Sequence, residues 1–166
     1  MEDKNFVFGI HSTIEAVNSG KEIDRILISK GLQGELYQEL MKLVRQFDIP
    51  FQQVPVERIN RVTRKNHQGV VAFISPIAYQ PISEIIPMLY EQGKNPLILV
   101  LDRITDGRNF GAIARSAEVA GVDAILIPEK GAAQINADAV KTSSGALLTI
   151  PVCREKNLVN AVRFLK

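Results

Sequence analysis

The sequence predicts an α/β fold in two parts. Three observations carry this reading. Short apolar runs alternate with segments of helical periodicity, the pattern of packed α/β units. Pro76, Pro81, Pro87 and Pro96 crowd one stretch, a composition shift that marks a boundary. Beyond it, the apolar run 97–101 leads into a polar loop, a helix-period segment and a second apolar run at 124–127. That order is the strand–helix–strand of a parallel sheet.

The elements follow in order. Ser12 and Glu15 have capping-box spacing, and Gly20 offers a stop, so a helix is expected over 12–18. Residues 25–28 read as a short strand. Leu36, Leu40, Leu43, Val44 and Phe47 recur at helical spacing across 35–47. A strand at 51–54 is bounded by Pro50 and Pro55, a short helix covers 56–63, and a strand covers 69–74. Pro87 inside a helix costs about 3 kcal/mol, so residues 77–96 are expected to be a broken helical linker between a domain at 1–76 and another at 97–166. The run 97–101 reads as a strand buried on both faces. Phe110, Ile113, Ala114, Ala117 and Gly121 share one face of the next helix. A strand at 124–127, a helix at 136–142, a strand at 147–152 and a helix opening at Asn157 complete the chain.

Composition excludes several classes. The chain has 166 residues, 46% of them hydrophobic and 23% charged, which argues against disorder and coiled coil. A net charge of +2 is too small to indicate nucleic acid by itself, so local clustering matters more. The single cysteine, Cys153, forbids an intrachain disulfide and suggests a reducing compartment. No apolar stretch approaches the roughly 20 residues of a membrane helix, and the N-terminus lacks a secretory pattern. A cytoplasmic protein without membrane association is expected.

Three groups of residues could carry chemistry. Asp102, Asp106, Arg108 and Asn109 lie in the loop after 97–101, where open α/β sheets bind ligands, and Arg115 follows on the helix. The structural alternative makes Asn109 an N-cap and Arg115 the i,i+3 ion-pair partner of Glu118. Gly107 and Gly111 lack the dinucleotide fingerprint, which disfavours an oxidoreductase. The second group is Arg58, Arg61, Arg64 and Lys65 with His67. Residues 58–67 contain no acid, and spacing by three could place the arginines on one helix face. Arginine and lysine supply most phosphate contacts; a solvated face is the alternative, and His67 could equally be a turn residue. His11 and His67 give no metal-site spacing. The third group is Lys141, Ser143, Ser144 and Gly145, phosphate donors at a helix end, or an ordinary C-terminus with Gly145 in the left-handed position.

These segments resemble a known family. Asp102 through Asp106, the run Asn109-Phe110-Gly111-Ala112-Ile113, Arg115 and Ala117 are similar to the first motif of the SpoU (TrmH-like) RNA 2′-O-ribose methyltransferases. The likeness is greatest to the branch that methylates a guanosine ribose in 23S rRNA. Phe8-Gly9-Ile10-His11 and His67-Gln68-Gly69-Val70-Val71-Ala72 resemble that branch's substrate-binding domain, itself similar to small ribosomal RNA-binding proteins. Lys141 to Ala146 and Asn157-Leu158 match as well. Gly107 stands where the family usually has proline. The family's second and third motifs, which form its trefoil knot, are not found, so the chain looks like the N-terminal two-thirds of such an enzyme.

The resemblance implies a small ribosomal-protein-like α/β domain followed by the first part of a Rossmann-like SPOUT domain. It implies methyl transfer from S-adenosylmethionine to a ribose 2′-OH of rRNA or tRNA, with no metal. Arg115 would act at the hydroxyl, and Asn109 would position that arginine or the nucleotide. Arg58, Arg61, Arg64, Lys65, His67, Gln68, Lys141, Ser143 and Ser144 would contact RNA. The cofactor site is expected in the segment this chain lacks, and a homodimer is expected for the longer protein. The chain alone would then be an inactive fragment; the alternative is a non-catalytic RNA-binding or scaffolding protein.

Overall fold

Side-chain alternation along a single strand organises the first half of the molecule. In a computed structural model that describes residues 6–166, Val70 and Ala72 turn to one face of a sheet while Val71 and Phe73 turn to the other. This strand is β4 (Val70–Ile74). It pairs antiparallel with β1 (Phe6–Phe8) and with β2 (Ile23–Ser29), and β2 pairs parallel with β3 (Phe51–Val54), giving the order β1-β4-β2-β3. Helices α1 (Ile10–Asn18) and α2 (Glu35–Gln46) close one face over Ile26, Ile28, Val70 and Ala72. On the other face the five-residue α3 (Val56–Asn60) seats Ile59 against Leu27, Val54 and Val71, with Val62 beside it. Helix α1 starts at Ile10 behind Gly9, ahead of the expected capping box, and no side chain caps it. This first unit ends at Ser75.

The second unit begins at Pro76. Its sheet is parallel throughout, in the order β5-β8-β7-β6. The strands are β5 (Tyr79–Gln80), β6 (Ile98–Val100), β7 (Ala124–Pro128) and β8 (Val152–Glu155). One face packs Ile125, Ile127 and Val152 against α5 (Gly107–Val119), α6 (Ala137–Thr142) and a 3-10 turn at Ala146–Leu148. The other packs Ala124, Leu126 and Cys153 under α4 (Ile82–Glu91) and α7 (Leu158–Phe164).

Three expectations need correction. The stretch 77–96 is not a broken linker. It supplies β5 and an unbroken α4 with Pro87 inside it. Ile82, Ile85 and Leu89 are at most 3% exposed, and each such burial is worth about 1.5–3 kcal/mol. Together they outweigh the roughly 3 kcal/mol proline penalty. The Glu155 carboxylate also accepts the first helical N–H, that of Ile82, at 3.1 Å. Next, the run 97–101 is an edge strand among the described residues, with Leu97 51% and Val100 38% exposed. Its N-terminal end is held by Asp123, which accepts from Leu97 N–H at 2.9 Å and from the Lys94 ammonium at 3.0 Å. Those two bonds hold the Asp123 carboxyl below its ordinary range. Last, the expected strand at 147–152 is displaced: the 3-10 turn ends at Leu148, and β8 starts only at Val152.

Helix α5 is placed by one glycine. A Cβ on Gly111 would collide with the Ala139 carbonyl oxygen and lie 3.0 Å from Thr142 Cβ and 3.1 Å from Ser143 N. The absent side chain lets α5 and α6 touch backbone to backbone. Gly111→Ala tests this. On propensity alone the change stabilises a helix by about 1 kcal/mol. Here the overpacking, about 1–3 kcal/mol or more, reverses the sign. Chemical denaturation is expected to show net destabilisation; a stabilised variant would mean that α5 and α6 separate freely.

Candidate functional site

The loop 101–106 leaves the carboxyl end of β6 and turns into α5. Asp106 is the N-cap: its Oδ1 accepts from Asn109 N–H at 2.8 Å. This corrects the alternative that made Asn109 the cap. Gly107 is the first helical residue, the position at which proline is also favoured. The loop is braced by Ala133 N–H, which donates to the Ile104 carbonyl at 2.7 Å, and Asp102 pairs with Arg103 at 3.4 Å on the surface.

Arg115 is exposed and has no hydrogen-bond or ion-pair partner among the described residues. The ion pair with Glu118 does not form. Glu118 instead accepts the Thr149 hydroxyl at 2.6 Å, across the seam between α5 and the 3-10 turn. Arg115 lies one turn beyond Gly111 and one turn before Glu118. Helix geometry therefore sets it on the rim of that seam, level with the residues that follow Thr142. Arg108 precedes it by seven residues, is exposed, and shares its side of the helix. Asn109 does not: six residues turn it about 120° away. The positioning of Arg115 by Asn109 is thus not built here. The partner on the arginine's own side is Arg108, and the seven-residue spacing was the available signal.

The serine-rich segment divides. Ser143 is fully buried, donates to the Val140 carbonyl at 2.7 Å and accepts from Leu147 N–H at 3.2 Å. Its hydroxyl is consumed by the fold, so its expected contact with RNA is withdrawn. Ser144 is exposed, with φ +54, and its N–H donates to the Lys141 carbonyl while Gly145 N–H reaches the Val140 carbonyl. That is a Schellman end in which Ser144, rather than Gly145, holds the left-handed position after the C-cap. Lys141 is exposed on α6. Cys153 has its thiol pushed up to about 12 by burial and by the Glu155 charge, so it is no nucleophile at neutral pH.

In the first unit, Arg58, Arg61, Arg64 and Lys65 are all exposed. They do not share one helix face, because α3 ends at Asn60 and Arg64 lies beyond it. The segment instead runs into a turn. Gly69 N–H donates to His67 Nδ1 at 3.0 Å, so the ring proton sits on Nε2 and is donated to Asn60 Oδ1 at 2.8 Å. His67 is thereby a turn lock, as its alternative reading had it. Gln68 is exposed with φ +50. A Cβ on Gly9 would lie 3.4 Å from Gln68 Oε1, so the turn sits against the β1–α1 junction. Lys65 reaches back over the Phe8 ring at 5.9 Å. His11 is exposed at the start of α1 and joins no cluster of three His, Cys, Asp or Glu side chains among the described residues. Nor is any described helix long and apolar enough to cross a membrane.

Comparison with known proteins also divides the chain in two. Residues 6–80 match the family model described as RNA 2′-O ribose methyltransferase substrate binding, and residues 96–166 match the SpoU rRNA Methylase family. A relative described as a TrmH family tRNA/rRNA methyltransferase of Staphylococcus saprophyticus is 34% identical over 96% of this chain and 64% of its own length. One from Staphylococcus aureus is 32% identical over 100% of this chain and 66% of its own. The chain thus spans just under two-thirds of the length of these relatives. A crystal structure of an AdoMet-bound rRNA methyltransferase from Sinorhizobium meliloti is 22% identical, covers 96% of this chain and 57% of that chain, and has a TM-score of 0.45. With both segments matched in order across 6–80 and 96–166, the chain belongs to the SpoU (TrmH-like) family.

Proposed function

We propose that this chain carries the RNA-gripping unit and the arginine-bearing helix of an RNA 2′-O-ribose methyltransferase. The observation that supports it is Arg115, an exposed guanidinium without a partner among the described residues, on the rim of the seam between α5 and the 3-10 turn. A guanidinium holds its proton above pH 12, so Arg115 acts as a cation. It stabilises the alkoxide that develops as the 2′-OH loses its proton, a gain made mainly in the transition state. Arg108, on the same side, engages phosphate. Asn109 contacts the target nucleotide by hydrogen bonds, and Ser144 and Lys141 extend the donor surface. In the first unit Arg58, Arg61, Arg64, Lys65 and Gln68 hold RNA. The substrate is rRNA or tRNA, the longer protein is a homodimer, and it works in the cytoplasm.

S-adenosylmethionine is the methyl donor in this proposal. The groove at the carboxyl ends of β6 and β8 does not fit it. That groove, about 560 Å³ and lined by Asp102, Lys156, Asn157, Leu158, Val159, Val162, Arg163 and Lys166, sets three cations against one carboxylate. A sulfonium is itself a cation, so the lining repels it. This favours a second reading for the chain alone, that of a non-catalytic RNA-binding module.

Three outcomes test these readings. Arg115→Ala in the full-length protein is expected to lower methylation by at least a hundredfold, as removal of a transition-state donor does, while RNA affinity stays nearly intact. Its effect on folding should be under about 1 kcal/mol, since the side chain is exposed. Near-normal turnover would remove the assignment. Alanine at Arg58, Arg61, Arg64 and Lys65 together should weaken RNA binding and reduce its salt slope by roughly one per lost phosphate contact; unchanged affinity and slope would leave the patch merely solvated. Calorimetric titration of the 166-residue chain with S-adenosylmethionine should show no micromolar binding; a micromolar dissociation constant would place the cofactor site within these residues.

A further inference from the structure

One face of the first unit's sheet is covered by Ile59 and Val62 over Leu27, Val54 and Val71, with a row of aromatic rings beside them. Strand register puts Phe6 opposite Phe73, Phe8 opposite Val71 and Arg25 opposite Phe73. Phe6, Phe8, Phe73 and Arg25 therefore share one side of the sheet, the side on which α3 and Val62 pack. All three rings are half-buried, and Phe6 and Phe73 sit 6.2 Å apart, tilted at 58°. Each end of the row carries a cation. The Arg25 guanidinium lies 5.1 Å over the Phe73 ring, and the Lys65 ammonium 5.9 Å over Phe8. Asp24 is the single carboxylate within the four strands, and it is buried.

We infer that this face is a stacking platform for unpaired RNA bases. The inference rests on the proposed RNA-binding role and adds a surface that basic residues alone do not define. The occupant is fixed by the chemistry of the row. Both ends of the row carry a cation and the only strand carboxylate is buried, so charge complementarity favours a polyanion. A base offers a π-face to a phenylalanine and brings a phosphate for the neighbouring cation, which is how single strands are held without sequence preference. Lys65 joins the row directly to the segment carrying Arg58, Arg61 and Arg64, so backbone and bases are gripped side by side.

The test uses the 166-residue chain and fluorescence anisotropy with a short labelled oligoribonucleotide, the same strand carrying abasic riboses, and its duplex. The wild-type chain should prefer the single strand and lose about tenfold in affinity when bases are removed. Phe8→Leu keeps apolar volume but no ring. It should lose about tenfold on the intact strand and be indifferent to abasic replacement, while Phe8→Tyr restores wild-type behaviour. Phe73→Leu carries the same test should Phe8→Leu fail to unfold cooperatively. The platform is overturned when the leucine variants bind as the wild type does, or lose as much on the abasic strand. Persisting salt-dependent RNA binding would then leave the arginine segment as the sole site. Absence of any RNA binding by the wild-type chain would overturn the RNA-binding role itself, and the platform with it.

Discussion

The second unit depends on the closeness of two helices. Where Gly111 faces the Ala139 carbonyl, α5 and α6 meet without an intervening side chain. Everything of interest in that unit takes its place from this contact. Arg115 stands one turn along from it, Arg108 nearly one turn before, and the Glu118–Thr149 bond closes the far end of the seam. Phe110 beside the glycine is fully buried, so the helix cannot rotate without lifting a large ring out of the core, a loss of about 1.5–3 kcal/mol. The result is a rigid mount for Arg108 and Arg115, which have no hydrogen-bond or ion-pair partner among the described residues.

A comparable device operates in the first unit with different parts. The turn before β4 is locked by His67, whose two ring nitrogens bind Gly69 and Asn60, and Gly9 N–H donates to the Val70 carbonyl at 3.0 Å. The turn and the β1–α1 junction are thus fastened together. That fastening brings Phe8 and Lys65 side by side from sequence positions far apart. His67 serves this lock with both nitrogens, so its presence beside a basic segment is accounted for without any contact to nucleic acid.

Much of this was legible in the chain. The alternation of strands and helices, the second helix of the first unit and the strand–helix–strand after residue 96 rest on periodicity, which sequence records directly. What was not legible depends on neighbours distant in sequence. The penalty of Pro87 is local, but the burial of Ile82, Ile85 and Leu89 that overrides it is tertiary. An apolar run at 97–101 reads the same on an edge as in the middle of a sheet, because periodicity does not report how many neighbours a strand has. Ser143 and Ser144 are adjacent and chemically identical, yet one closes a helix from inside and the other stands in solvent; only the Schellman geometry separates them. The same holds for Asn109 and Arg115, near in sequence but about 120° apart around α5.

The distribution of charge gives these details a common sense. Four described carboxylates around the second sheet are committed to the fold. Asp106 caps α5, Asp123 holds Leu97 and Lys94, Glu155 starts α4 and Glu118 takes the Thr149 hydroxyl. Arg58, Arg61, Arg64, Arg108, Arg115 and Lys141 are exposed. A net charge of +2 says nothing of where these cations stand. An exposed arginine adds almost nothing to folding, so each of these positions can be altered with little loss of stability. Cations held on rigid mounts and left without acidic partners are suited to a polyanion, whose phosphates supply the countercharge that the fold withholds.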